Sequence, residues 1–240
     1  MNKDNVLNLI KSVRESSRQR KFNQSFDLII NLKDLNLKKP EENIDLFVAL
    51  PYSKGKKVRI CALINKNLEN NAKIFDKFIL LDDFPQDAKE IKKLASEYDF
   101  FLGQADIMPK IASAFGKILG SRGKMPSPKL GCIITAMSDL NSLKKKLENT
   151  VRLKTKNEII IKTMIGTESM KDEEIYENFV MVYNSLVHAL PKAELNLKSV
   201  YLKLTMGKAL KLGEKLDELE GSEKSEGLEK SDKKLTGRKR

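Results

Sequence analysis

The stretch from Val58 to Thr150 sets the tightest limit on what this chain can fold into. It carries continuous apolar runs, Val58 to Ile64, Phe78 to Leu81, Phe100 to Leu102 and Leu130 to Ile134. Between them lie stretches of helical period, Leu68 to Lys73, Pro85 to Ser96 and Asp106 to Phe115. A strand that is apolar on both faces must be covered on both faces, so helices have to lie above and below a parallel sheet. Residues 58–150 are therefore expected as a separate α/β unit. Pro85 and Pro109 are expected in first turns of helices, where a missing N–H costs least. Pro51 and the basic, flexible Lys54, Gly55, Lys56 and Lys57 stand before the unit as a connector.

The segments on either side read differently, because their strands alternate. Phe26, Leu28, Ile30 and Leu32 recur at period two. Val151, Leu153 and Thr155 alternate with Arg152, Lys154 and Lys156, and a further run from Glu158 to Met164 ends at Gly166. Near the end of the chain Val200, Leu202 and Leu204 alternate with Tyr201, Lys203 and Thr205, up to Met206 and Gly207. Such a strand buries one row and leaves the other open. In most proteins the open row is simply wet; here Gly207 would let a bulky partner approach the backbone, and Lys208 and Lys211 add charge. A short strand is expected at Leu46 to Leu50. Helices are expected over Asp4 to Arg18, with Val6, Leu7, Ile10 and Val13 on one face, and over Asp139 to Asn149, capped by Ser138. Another opens near Ser169 and Asp172, carries Ile175, Phe179, Val182, Leu186 and Leu190, and stops at Pro191. Phe22 lies between Lys21 and Asn23, either as a cap on the core or as a stacking platform for a nucleotide.

Composition narrows the function classes. The 45 Lys and Arg against 33 Asp and Glu give a net charge of +12, which points to a polyanionic partner, nucleic acid ahead of a membrane surface. No apolar run reaches the ~20 residues of a membrane span, and Met1 to Asp4 open on polar residues, so a cytosolic chain is expected. Cys61 and Cys132 sit singly in apolar runs and read as buried thiols, with neither disulfide nor metal. A single histidine, His188, expected on the apolar stripe of its helix, leaves no triad or metal cluster. The stretch from Leu119 to Lys129 reads as an exposed cationic loop. It is not a nucleotide P-loop, because Ile118 replaces the first Gly and Met125 follows Lys124. Gly120 to Gly123 matches the Gly-x-x-Gly of one RNA module, but Pro126 forbids the second helix that module needs. An RNA-facing loop and a structural turn both remain open there. Asp82 and Asp83 read as a cap before a helix rather than a metal pair. An enzyme using the α/β unit finds no convergent acid, base and nucleophile. From Gly213 onward the chain reads as a solvated charged tail.

Lys21-Phe22-Asn23-Gln24-Ser25 through Leu32, Leu119 to Pro126, Gly166-Thr167-Glu168, and Ser199 through Gly207 are four long, separated segments in order. Together they resemble the family of large-ribosomal-subunit protein L-one, the protein of the mobile stalk, in its archaeal form. The resemblance covers residues 1 to about 212; Ser121, where the family more often has proline, and the tail depart from it. It implies an α/β and α+β two-domain protein: a discontinuous RNA-binding domain, 1–57 with 151–212, with an exposed sheet, and an inserted Rossmann-like three-layer domain, 58–150. It implies no enzyme activity, cofactor or metal. The partners implied are large-subunit rRNA, the protein's own mRNA, whose translation it represses, and exit-site tRNA, on a cytoplasmic ribosome, with a monomer off it. The RNA-binding positions implied are Lys21, Phe22, Asn23, Gly166, Thr167, Ser199, Tyr201, Thr205, Met206 and Gly207, with Arg122 and Lys124 as a possible tRNA contact. Thr205 and Ser199 are expected to supply the specifying hydrogen bonds. A basic RNA-binding protein with no ribosomal site is the alternative.

Overall fold

The computed structural model describes residues 2–39, 42–85, 87–135, 139–155 and 158–213. Ser138, Lys156 and the tail beyond Gly213 lie outside them. The chain forms two compact units, one from the chain up to Ile44 and from Lys154 onward, the other from Asp45–Leu153.

The first unit is an antiparallel sheet of β1 (Ser25–Leu32), β8 (Ile160–Thr167), β9 (Leu197–Leu204) and β10 (Leu210–Lys211), in the order β10-β9-β1-β8. One face is covered by α1 (Lys3–Glu15) and α6 (Asp172–Ala189). The alternation expected of β1 and β9 is what the sheet uses: Phe26, Leu28, Ile30, Val200, Leu202 and Leu204 are buried, while Asp27, Ile29, Asn31, Ser199, Tyr201 and Lys203 line the other face, partly exposed. Two helical stripes close the core, Val6, Leu9, Ile10 and Val13 from α1 and Ile175, Phe179, Val182 and Leu186 from α6. Leu7, assigned to that stripe by spacing, is only half-buried, and Leu9 takes its place. His188 stands exposed in the last turn of α6 rather than on its stripe.

A bulge marks the end of β8. Phe26 pairs with Gly166 and Asp27 with Met164, which leaves Ile165 without a partner across the ladder. Its carbonyl accepts from the Nδ2 of Asn178, a residue of α6 with no exposed surface, at 2.8 Å. A buried carbonyl freed by a bulge needs such a donor, and the bulge bends the strand end into the following turn.

The second unit holds a parallel sheet of β3 (Ile60–Ile64), β4 (Lys77–Leu80), β5 (Phe100–Gln104) and β6 (Ile133–Ile134), in the order β4-β3-β5-β6. Every residue of β3 is buried. Ile60, Ala62 and Ile64 pack with Leu140 and Leu147 of α5 (Leu140–Asn149) and Ala72 of α2 (Glu69–Ala72). Cys61 and Leu63 face the other way, toward Ile91 and Leu94 of α3 (Ala88–Glu97) and Ile111, Phe115 and Leu119 of α4 (Met108–Arg122). Burial drives the thiols of Cys61 and Cys132 up to about 12 and about 11, because a thiolate there would be desolvated.

Several boundaries differ from those read in the sequence. The units divide after Ile44 and Leu153 rather than at 57 and 150, because β2 (Asp45–Ala49) pairs with β7 (Thr150–Lys154) in a two-stranded ladder. Pro85 precedes α3 rather than opening it, whereas Pro109 does lie in the first turn of α4. Asp139 is the N-cap of α5, its carboxylate accepting from the N–H groups of Asn141 and Ser142. The turn before α6 is held by Glu174, which accepts from the N–H of Lys171, and not by Ser169 with Asp172. Asp82 makes an exposed ion pair with Lys66 at 2.7 Å, a surface contact rather than a metal ligand.

Candidate nucleic-acid interface

The strand register of the first unit gathers three turns at one end of its sheet. Ser25 opens β1 opposite Thr167, the last residue of β8, and Phe26 lies opposite Leu204, the last residue of β9. The segments 16–24, 167–171 and 205–208 must therefore emerge side by side.

Gln24 joins all three. Its side chain is 1% exposed, so each polar atom needs a partner inside the protein. Oε1 accepts from the N–H of Met206 at 3.2 Å and Nε2 donates to the carbonyl of Arg18 at 3.4 Å. Its backbone carbonyl accepts from the N–H of Glu168 at 2.8 Å, and its own N–H reaches Glu168 Oε2 at 3.4 Å. Arg14 adds a second set of ties. Its guanidinium pairs with Asp172 at 2.8 Å, donates to the carbonyls of Glu168 and Met170, and lies 5.1 Å from the centre of the Phe26 ring. A planar fork with five donors suits such a turn, which an ammonium could satisfy only in part. Asn23 Nδ2 donates to Ser169 Oγ at 3.0 Å, and Ser169 is in turn 3.1 Å from Thr167 Oγ1. Neither Gln24 nor Arg14 is marked by local spacing, since Met206 and Asp172, to which they bond, lie more than a hundred positions away.

On this rigid base stand the exposed groups. Phe22 is 53% and Met206 60% exposed, the most exposed large apolar side chains at this end of the unit. That exposure rules out Phe22 as a cap on the core. Arg18, Arg20, Lys21, Asn23 and Lys208 are exposed around them. The arrangement offers an aromatic face and a soft apolar tip to bases, with cationic groups placed for phosphates.

Other expected positions also make contacts within the fold. Thr205 Oγ1 accepts from the N–H of Ser25 at 3.1 Å and lies 3.3 Å from its carbonyl, so the hydroxyl closes the end of the β1–β9 ladder. A Cβ on Gly207 would lie 2.4 Å from Ser17 Oγ, so the missing side chain makes room for the end of α1. Gly166 and Thr167 are buried, and a Cβ on Gly166 would lie 3.0 Å from Met170 Sδ. Ser199 lies six residues before Thr205, roughly 20 Å along a strand. Its hydroxyl accepts from Asn31 Nδ2 at 3.0 Å. Between them Tyr201 stands in a row across the open face, with Ile29 beside it and Lys162 beyond on β8, and Lys211 on its other side. The expected positions thus divide into a cluster of turns and a separate row on the sheet.

Arg122 and Lys124 belong to the second unit and are engaged there. The helical stripe continues past Phe115 to Leu119, so α4 absorbs Gly120 to Arg122 and ends at Gly123, whose φ of 65° is the left-handed conformation a C-terminal glycine adopts. Arg122 donates to Lys92 O and Ser96 Oγ; Lys124 donates to the carbonyls of Ala95 and Tyr98 at 3.0 and 2.7 Å. Lys124 caps the C-terminal end of α3, where a cation offsets the helix dipole, and Arg122 pairs with its side. Burial moves the Lys124 ammonium below its ordinary value, more than nearby Asp99 restores it.

The sequence matches the ribosomal protein L1p/L10e family over residues 13–208, from the last turns of α1 to just beyond Gly207. The chain belongs to that family. It is 41% identical to large ribosomal subunit protein uL1 of Nanoarchaeum equitans over 209 residues, covering 85% of this chain and 97% of that one. It is 37% identical to the protein of the same name from Pyrococcus abyssi over 211 residues, 86% of this chain and 94% of the relative. Against that of Methanothermococcus thermolithotrophicus it is 36% identical over 211 residues, with 86% and 97% covered. The L1p/L10e match spans all three turns of the interface. No helix among the described residues is long and apolar enough to cross a membrane.

Proposed function

We propose that this protein is a structural constituent of the large ribosomal subunit that binds large-subunit rRNA through the three turns at the end of its antiparallel sheet. The role is structural and not enzymatic, and its place is the cytoplasmic ribosome. One observation carries the reading: the family match runs continuously through a cluster in which Phe22 and Met206 are exposed on turns locked by buried hydrogen bonds. Locked turns lose little freedom on binding, so contacts made by the exposed groups translate more fully into affinity. Lys21, Phe22, Asn23 and Met206 are the contacting residues. Gly166, Thr167, Thr205 and Gly207 give the turns their shape. Ser199 and Tyr201 extend the surface along the open sheet, where a flat face can meet the shallow groove of folded RNA.

A folded segment of the protein's own mRNA with the same shape would compete for this surface, which supports a repressor role. Participation in release of exit-site tRNA, a position on the mobile stalk and a Rossmann-like character for the second unit rest on the family resemblance. Arg122 and Lys124 are assigned to the packing of α3 and α4 instead of to tRNA.

Filter binding of the full chain at fixed salt tests the reading. Affinity for large-subunit rRNA at least tenfold above that for small-subunit rRNA supports it. Equal affinities would reduce the protein to a general basic RNA-binding chain.

A further inference from the structure

We propose that Gln24 is the positioning residue of the RNA interface: it contacts no RNA itself, and its two side-chain hydrogen bonds hold the Met206 turn and the Arg18–Phe22 loop in the binding geometry. This rests on reading that end of the sheet as the RNA site.

Gln24 is buried among segments whose exposed residues make the interface. Its amide oxygen fixes the N–H of Met206, the residue whose side chain is 60% exposed; its amide nitrogen fixes the carbonyl of Arg18, four residues before Phe22. Met206 also lies next to Gly207, whose N–H donates to Leu204 O at 2.9 Å and whose Cα packs against Ser17. Gln24 and the close approach of Ser17 to Gly207 therefore couple the loop after α1 to the turn after β9. Gln24 does so with hydrogen bonds to both segments at once. A carboxamide carries a donor and an acceptor on separate atoms without charge, which is what a carbonyl on one side and an N–H on the other require. A functional constellation held on such a support loses affinity when the support goes, even with every contacting side chain intact.

The test uses the full chain with Gln24→Met, which keeps length and volume and removes both hydrogen bonds. Binding to large-subunit rRNA should weaken about tenfold or more, equivalent to about 1.4 kcal/mol. The slope of log affinity against log salt should stay unchanged, because no phosphate contact is lost. The Met206 amide should exchange with solvent faster while that of Leu202 in the ladder does not change. Affinity within twofold of the unaltered chain, or an unchanged Met206 exchange rate, overturns the inference. Should Gln24→Met fail to fold, Gln24→Glu decides it, since it exchanges one donor atom for an acceptor facing Arg18 O. At least threefold weaker binding is then expected, and unaltered affinity overturns the proposal. If the unaltered chain shows no preference for large-subunit rRNA, the functional reading fails; the Met206 exchange rate still shows whether Gln24 holds the turn.

Discussion

Thr205→Val separates a hydroxyl that serves the fold from one that serves RNA. The substitution keeps the shape of the side chain and removes its oxygen. In the structure that oxygen accepts from the N–H of Ser25, a residue only 4% exposed, so valine leaves a donor with little access to water. A buried donor left unpaired costs about 1–3 kcal/mol, and a protein of this size loses roughly 2–4 °C of Tm per kcal/mol. The variant should therefore melt several degrees below the unaltered chain, while Thr205→Ser, which keeps the hydroxyl, should melt close to it. RNA affinity, measured well below the melting range, should fall by less than that of a Phe22 variant. Calorimetry and filter binding on the three chains decide the matter. An unchanged Tm together with a large loss of RNA affinity would refute the assignment and return the hydroxyl to the RNA.

Three further outcomes follow from the same geometry. Phe22→Ala should cost about 1–3 kcal/mol of RNA affinity, the usual worth of one base stacked on an aromatic, with Tm changed by no more than about a degree because the ring is 53% exposed; filter binding and calorimetry read the two. Gly123→Ala should destabilise the second unit by roughly 1–2 kcal/mol or more and leave RNA affinity alone. Its φ is 65°, and the new Cβ would stand 2.6 Å from Arg152 Nη1, which donates to the Gly123 carbonyl while the same guanidinium pairs with Asp45 at 2.7 Å; urea unfolding checks this. For Asp139, hydrogen bonds from Ser142, then the adjoining N–H of Asn141, hold the carboxyl below its ordinary value of 3.8. A carboxyl lowered in the folded state binds fewer protons there than when unfolded, so its stabilisation is present above 3.8 and lost as pH falls through the depressed value. Asp139→Ala should be less stable at neutral pH, with the deficit shrinking toward acid in a pH series of urea midpoints.

Periodicity carried the parts of the fold that depend on nearest neighbours. The alternation of Val200, Leu202 and Leu204 and the unbroken run in β3 each dictate a burial pattern, and the sheets follow it. The division after Ile44 is not legible in the sequence because the Lys54–Lys57 run looks like a linker, whereas the pairing of β2 with β7 depends on residues a hundred positions apart. The cationic loop was read too early: Gly120 and Gly123 suggested a turn, yet a Cβ on Gly120 would meet nothing and the stripe from Ile111 to Leu119 carries the helix through. At the interface the exposed residues Phe22 and Met206 were visible as motif positions. The supports were not, since Gln24 and Arg14 act through hydrogen bonds to distant segments, and Asn178 through a bulge, that no local spacing encodes. For the same reason the bond of Thr205 to Ser25 and the close approach of Gly207 to Ser17 are not legible in the sequence.

The most direct test is co-sedimentation with large ribosomal subunits stripped of their own copy of this family. After a high-salt wash the unaltered chain should remain with the subunits at about one copy each, and a chain carrying Phe22→Ala with Met206→Ala should be found in the supernatant. Retention of both chains alike, or loss of both, would contradict the account.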